Sequence, residues 1–255
     1  MEADPYGEID NQIILLKIKL NLNILKLMDF LGVVPARSNS SSLKKKNTFL
    51  LNNKPLIQYT FEALQNSLIK KKYLLTDDNK IKKIAKKFKI LTEYPRPKKV
   101  SKSTTSLADT LFHFHNWATN QKIFYDYMVV LQPTSPLRDY IDINNSIKII
   151  RKKKYKSLFS ISKSLEHPYE TIKFIKKNKW KHVLEKSKLY HRRQDFDFES
   201  YFINGAIYII SRELVIKRKI YDKKNHGFFI MPKQKSIDIN DLSEIEIAKY
   251  LLRKK

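Results

Sequence analysis

The chain has 255 residues, 42% of them hydrophobic, and a formal charge of +26, which suits one sizeable domain. Cysteine is absent, so disulfides and thiolate metal sites are excluded, and the six histidines form no His-Glu-x-x-His pattern, which argues against a zinc hydrolase. No apolar run reaches the roughly 18 residues of a membrane span, and the lysines are spread along the whole chain, so neither a membrane nor a nucleic acid is the expected partner.

Residues 1–27 start acidic, unlike a secretory leader, and break their apolar stretch IILLKIKLNLNILKL with lysines and asparagines. They read as a poorly specified extension ahead of Met28. From there strand and helix patterns alternate. Residues 31–36 predict a buried strand, and residues 55–67 a helix with Ile57, Phe61, Leu64 and Leu68 on one face. Residues 73–76 predict a short strand ending in TDD, followed by a helix over 79–88 through Ile81, Ile84, Ala85 and Phe88. Residues 105–120 predict a helix, 127–132 a buried strand followed by PTSPLR, and 140–154 a helix through Ile143, Ile147 and Ile150. Strand and helix in this alternation imply an α/β domain with a mainly parallel sheet.

After Ser157 the rhythm changes. SLFSIS, ETIKFI, AIYIIS and GFFIMP read as strands, and the polar, aromatic KHVLEKSKLYHRRQDFDFESYF between them has no period and reads as an inserted arm or flap. The chain closes with an amphipathic helix through Ile245, Ala248 and Leu252.

Open α/β sheets bind ligands beyond the carboxyl ends of their strands. Three polar clusters follow apolar strands here, ARSNSSSLKKKN, TDD and QPTSPLR, and are expected at one sheet edge. Arg37, Lys46 and Arg138 in these clusters suit a polyphosphate, with serine, asparagine and loop amides holding its oxygens. None of the four glycines lies between Gly32 and Gly205, so a Walker loop and a GxGxxG loop are both absent.

These segments resemble the acylneuraminate cytidylyltransferases, which make CMP-sialic acid. VVPARSNSSSLKKKNTFLLNNKPLIQYT is similar to their first motif of apolar strand, P-A-R, small-residue loop, K-N and G-K-P-L-I. LQPTSPLR is similar to their second motif, TDDNKIKKIAKKF to their S-T-D-D stretch, and YPRPKKVSKSTTSLADTLFHF to their R-P segment. NGAIYI resembles their Asn-Gly motif and SIDINDLSEIEIA their closing D-I-D-T metal motif. The matches keep the family's order from about residue 31 to about residue 250.

The resemblance implies a three-layer nucleotide-diphospho-sugar transferase (Rossmann-like) α/β fold over residues 28–255, with a small dimerisation arm at 157–203. It implies a cytoplasmic homodimer that transfers CMP from CTP to a sialic-acid-like nonulosonic acid, with Mg2+ and release of pyrophosphate. Carried over residue by residue, Arg37, Ser40, Lys46, Asn47, Arg96 and Arg138 bind the nucleotide, with Arg37, Lys46 and Asp238 in the catalytic roles. Gln132, Arg193, Gln194, Asn204, Tyr208, Phe228 and Phe229 line the acid-sugar site, and Asp238 and Asn240 hold the metal. Other readings stay open: a legionaminic, pseudaminic or 3-deoxy-manno-octulosonic acid substrate, a GTP-using relative, or a non-catalytic sugar-nucleotide-binding paralogue. The chain departs from the family pattern at Ser38, Asn39 and Ser42, where glycines are usual, at Glu170, which stands where lysine is usual, and at Asn240, which replaces the second aspartate.

Overall fold

The computed structural model describes residues 28–38, 45–184, 192, 194 and 196–254. The expectations for residues 1–27, Ser40 and Arg193 lie outside the described residues. In chain order the main elements are β1 (Phe30–Pro35), β2 (Leu50–Leu51), β3 (Lys54–Pro55), α1 (Leu56–Gln65), β4 (Lys71–Leu75), α2 (Asn79–Lys86), α3 (Leu107–Asn120) and β5 (Tyr127–Val130). They continue with α4 (Tyr140–Lys153), β6 (Ser157–Lys163), β7 (Ile172–Lys176), β8 (Lys179–His182), β9 (Tyr201–Ser211), α5 (Arg212–Ile216), β10 (His226–Ile230) and α6 (Leu242–Arg253).

A six-stranded sheet in the order β10-β6-β9-β5-β1-β4 forms the centre. β1 runs parallel to β4 and β5, and β10 parallel to β6; β9 alone is antiparallel to its neighbours. β1 and β5 read as continuous apolar runs because both their faces are covered. Along β1, Leu31 and Val33 face one layer with Leu111 and Phe114 of α3 and Leu214 of α5. Phe30 and Val34 face the other, with Phe61 and Leu64 of α1, Ile81 of α2 and Ile147 of α4. The result is the expected three-layer fold.

Local chemistry sets the element boundaries. Asp78 caps α2, Ser106 caps α3, and Asp139 with Asp142 forms a capping box at the start of α4. Gly32 gives close approach, since a Cβ there would lie 2.8 Å from Leu64 Cδ1 and 3.2 Å from Ile69 Cγ2 and both side chains would have to shift. Where α6 and the β2–β3 hairpin meet, Leu51, Leu56, Ile239, Ile245 and Ala248 form a third apolar cluster. This cluster holds the turn before α6 against the body of the domain.

Several details differ from the sequence expectation. The strand expected at AIYIIS begins earlier, at Tyr201, and its first three residues, Tyr201, Phe202 and Ile203, are apolar yet exposed. β8 is polar but for Trp180, and β2 and β3 are two residues each, too short for a periodic signal. β6 lies inside the central sheet, so the chain leaves the sheet only after Lys163. Beyond it β7 and β8 make a separate two-stranded sheet whose apolar side chains are uncovered, with Phe174 72% and Trp180 55% exposed. Among the described residues, no helix is long and apolar enough to cross a membrane.

Candidate functional site

Because β1, β4 and β5 are parallel, the segments after Pro35, Leu75 and Val130 leave the sheet at one edge. There they border a cleft of about 340 Å³ lined by Arg37, Lys46, Asn47, Arg96, Gln132, Asp238 and Asn240, among others. Seven of the residues expected at the site are thus brought together from five separate stretches of the chain.

The cationic wall is braced from the first loop. Arg37 Nη1 donates to the Lys102 carbonyl at 3.2 Å, and Asn47 Nδ2 donates back to the Arg37 carbonyl at 3.1 Å. At the entry to the loop the Ser38 backbone N–H and hydroxyl both donate to the Asp77 carboxylate, at 2.8 and 2.9 Å. The TDD cluster therefore divides its work: Asp77 holds the loop and Asp78 caps α2. Lys46 is buried and its Nζ donates to the Ile239 carbonyl at 3.0 Å. Burial holds the Lys46 amine below its usual range, and Asp238 and Glu244 partly offset this. Arg96 lines the cleft, but its Nη1 donates to the Leu75 carbonyl at 2.9 Å and its Nη2 to the Val100 carbonyl at 2.8 Å. Burial, before any neighbouring charge, lowers its pKa. Its main work is to tie the end of β4 to the turn at Val100.

The turn before α6 carries the carboxylate. Asp238 does not cap the last helix; Asp241 does, paired with Glu244 in a capping box. Asp238 Oδ1 is buried without a hydrogen-bond partner, and Oδ2 meets Asn240 Nδ2 at 3.4 Å. A buried, unpartnered carboxylate oxygen on a residue that lines the same cleft as Arg37 and Lys46 fits a cation ligand. Among the described residues no three His, Cys, Asp or Glu side chains group to hold a metal. The donor set is therefore one carboxylate and one amide, which suits Mg2+ because that ion keeps waters and takes phosphate oxygens as ligands.

The remaining expected residues lie elsewhere. Arg138 is 2% exposed and points inward, with Nη1 donating to the carbonyls of Gln132 at 3.1 Å and Ala206 at 2.9 Å, and Nη2 to Thr60 Oγ1 at 2.6 Å. Burial pulls its pKa down to about 10, against the pull of Asp142 and Asp139, and it stays charged at neutral pH. It supports the cleft from behind and is not among the residues lining it. Asn204 is likewise buried and satisfied. Its Oδ1 accepts from the Ser160 hydroxyl at 2.6 Å and its Nδ2 donates to Ser236 Oγ at 2.9 Å.

Asn204 fixes the irregular stretch of β9 at which Gly205 takes φ +72°, a conformation that favours glycine. Gln132 Oε1 and the Tyr208 hydroxyl lie 3.5 and 3.7 Å from the point a Gly205 Cβ would occupy. Burial first, then Asp238, raises the Tyr208 phenol. Gln194 lines a different hollow, of about 630 Å³, with Lys163, His167 and Phe198. Phe228 is exposed on the edge strand β10, and Phe229 packs against the core. Glu170, where lysine is usual, turns back to the His167 backbone N–H at 3.4 Å.

Two contributors were not singled out from sequence. Thr134 lines the cleft with a buried, unpartnered Oγ1, and its carbonyl accepts from the Ile239 N–H at 2.8 Å. Its place inside PTSPLR was the available signal. Lys102, whose carbonyl holds Arg37, carried none among so many lysines.

The sequence matches the Cytidylyltransferase family over residues 31–247. It is 29% identical over 235 residues to the N-acylneuraminate cytidylyltransferase of Escherichia coli, covering 88% of this chain and 52% of that protein. It is 24% identical to the pseudaminic acid cytidylyltransferase of Campylobacter jejuni, over 89% of this chain and 97% of that protein. It is 29% identical to the CMP-N,N'-diacetyllegionaminic acid synthase of Legionella pneumophila, over 84% and 91%. The chain thus spans about half the length of the E. coli relative and nearly all of the Campylobacter one. In fold it is similar to CMP:2-keto-3-deoxy-manno-octonic acid synthetase complexed with CTP, with a TM-score of 0.61 at 16% identity over 89% of this chain and 99% of that one.

Proposed function

The chain belongs to the cytidylyltransferase family, a family of nucleotidyltransferases, and on that premise we propose that it transfers CMP from CTP to an acidic nine-carbon sugar of the sialic, pseudaminic or legionaminic type. The observation that carries this reading is the convergence of Arg37 and Lys46 with the unpartnered Asp238 Oδ1 in one cleft at the carboxyl ends of the parallel strands.

A sugar hydroxyl attacks the α-phosphorus of CTP and yields its proton to solvent, the bond from that phosphorus to the bridging oxygen breaks, and pyrophosphate leaves with its electron pair. Such a step depends on in-line placement and charge neutralisation more than on covalent catalysis. Arg37 and Lys46 take the triphosphate oxygens, and Asn47 keeps the Arg37 backbone in place. Gln132 and Tyr208, which meet at Gly205, border the acceptor side. Asp238 and Asn240 would hold Mg2+, which when bound neutralises phosphate charge. The +26 field of the chain favours entry of both anionic substrates.

The same reading makes the protein a homodimer joined through the arm that follows β6. A two-stranded sheet with exposed Phe174, Ile175 and Trp180 is marginal in water unless another surface covers it.

Pyrophosphate release with CTP and a panel of acid sugars tests the proposal, with GTP as the nucleotide control. Turnover with CTP and at least one nonulosonic acid is the expected result; turnover with GTP alone overturns it. Asn240 in place of a second carboxylate favours one other reading, a sugar-nucleotide-binding protein without turnover. CTP binding with no product from any acid sugar would establish that reading instead.

A further inference from the structure

Lys235 lies on the turn between β10 and Asp238, outside the cleft. Its Nζ donates to Asp139 Oδ2 at 2.7 Å and to the two Asp142 oxygens at 3.2 and 3.1 Å. Asp142 is almost fully buried, and Asp139 is mostly so. Both belong to the start of α4, directly after the loop that carries Gln132, Thr134 and Arg138. At the next residue Ser236 Oγ accepts from Asn204 Nδ2, and further on Ile239 is held from both sides, its N–H by the Thr134 carbonyl and its carbonyl by Lys46. The peptide that carries Asp238 is thus stitched at three points, and Lys235 supplies the only one of these that is a charge pair among the described residues.

Asp142 needs this partner. Its carboxylate sits in the interior near Asp139, and a buried anion without a cation is costly. Arg138, the other cation nearby, has its Nη atoms committed to Gln132, Ala206 and Thr60. Lys235 therefore settles the buried Asp142 and the partly buried Asp139 and fastens the Asp238 segment in the same contact.

We propose that Lys235 is a positioning residue for nucleotidyl transfer: its bridge to Asp139 and Asp142 sets Asp238 at the correct distance from the loop bearing Gln132 and Thr134. This rests on the reading of the cleft given above. Lys235 touches neither substrate, and it acts through Asp238.

The test compares Lys235→Met with Lys235→Arg and with Asp139→Asn, which keeps a capping oxygen while removing one charge. Mn2+ binding to the CTP complex is read by electron paramagnetic resonance, alongside CTP affinity without metal, kcat and the thermal midpoint. In Lys235→Met, Mn2+ affinity and kcat are expected to fall about 10- to 100-fold, the range for groups that orient metal ligands, while metal-free CTP affinity is unchanged. Lys235→Arg restores most of the loss, and Asp139→Asn shows a smaller loss of the same kind. A Lys235→Met protein that melts earlier yet keeps wild-type Mn2+ affinity and kcat overturns the inference. If Lys235→Met does not fold, Asp139→Asn decides by the same two readouts. A wild type that binds Mn2+ and CTP but turns over no acid sugar counts against the reaction alone, and the Mn2+ readout still judges the bridge. A wild type that binds neither overturns both.

Discussion

The Nζ of Lys46 and the main-chain carbonyl of Ile239 meet at 3.0 Å across 193 positions of sequence. The cation of the first loop is thereby tied to the turn that presents the carboxylate of Asp238. Lys46→Met removes that tie and a triphosphate partner, and is expected to weaken CTP binding roughly 10- to 100-fold, as for loss of a charged hydrogen bond. Isothermal titration with CTP checks it.

The same lysine predicts a pH dependence. Burial holds the folded amine below its ordinary 10.5. Between the folded value and 10.5 the unfolded chain binds more protons, so stability rises with pH in that window. Below the folded value both states are protonated and the full cost of burying the ammonium applies. CTP binds the ammonium form, so CTP affinity falls as pH climbs through that window. Titrations from about pH 7 to about pH 10 are expected to show this fall in the wild type and a flatter profile in Lys46→Met.

Asn240 Nδ2 lies 3.4 Å from Asp238 Oδ2. Asn240→Asp sets a second carboxylate beside the first. Repulsion lowers the metal-free thermal midpoint, and the added charge strengthens a site for a hard divalent ion. The Mg2+ concentration giving half-maximal rate is expected to drop severalfold. An unchanged Mg2+ requirement would remove Asn240 from the metal site.

Arg138→Met removes the donor shared by the carbonyls of Gln132 and Ala206 and the Thr60 hydroxyl, and leaves Asp142 with Lys235 as its cation. A loss of about 3–5 kcal/mol is expected from leaving these buried groups short of a donor, and the thermal midpoint reads it as a fall of roughly 10 °C. Were Arg138 a surface ligand for phosphate instead, its removal would weaken CTP binding and spare the midpoint.

Phe174→Glu combined with Trp180→Glu puts charge on an uncovered hairpin face. Light scattering after size exclusion is expected to report a dimer for the wild type and a monomer for the variant. A wild-type monomer would refute the assembly proposed here.

These contrasts mark what sequence alone makes legible. Ile143, Ile147 and Ile150, or Ile81 and Ala85, betray their helices because one face of each is buried at a fixed period. The direction of β9 has no such trace, since an apolar strand inside a sheet looks alike whether parallel or antiparallel. At the site, Arg37, Lys46 and Asp238 are visible as charges following strands or turns. Arg138 shows the limit of that logic: residue type does not reveal whether a guanidinium faces a ligand or the carbonyls of its own fold. Lys235 is hidden for another reason, because its aspartate partners lie more than ninety positions away and the chain is full of lysine.

The antiparallel β9 also governs how the molecule is made. The apolar β5 finishes at Val130, yet the strand that covers its free edge ends at Ser211. During synthesis at about 5–20 residues per second, that edge waits ~4–16 s for its partner to emerge. A bare hydrophobic edge is an invitation to strand-to-strand association, so a nascent chain stalled in this interval is where chaperone capture would matter most.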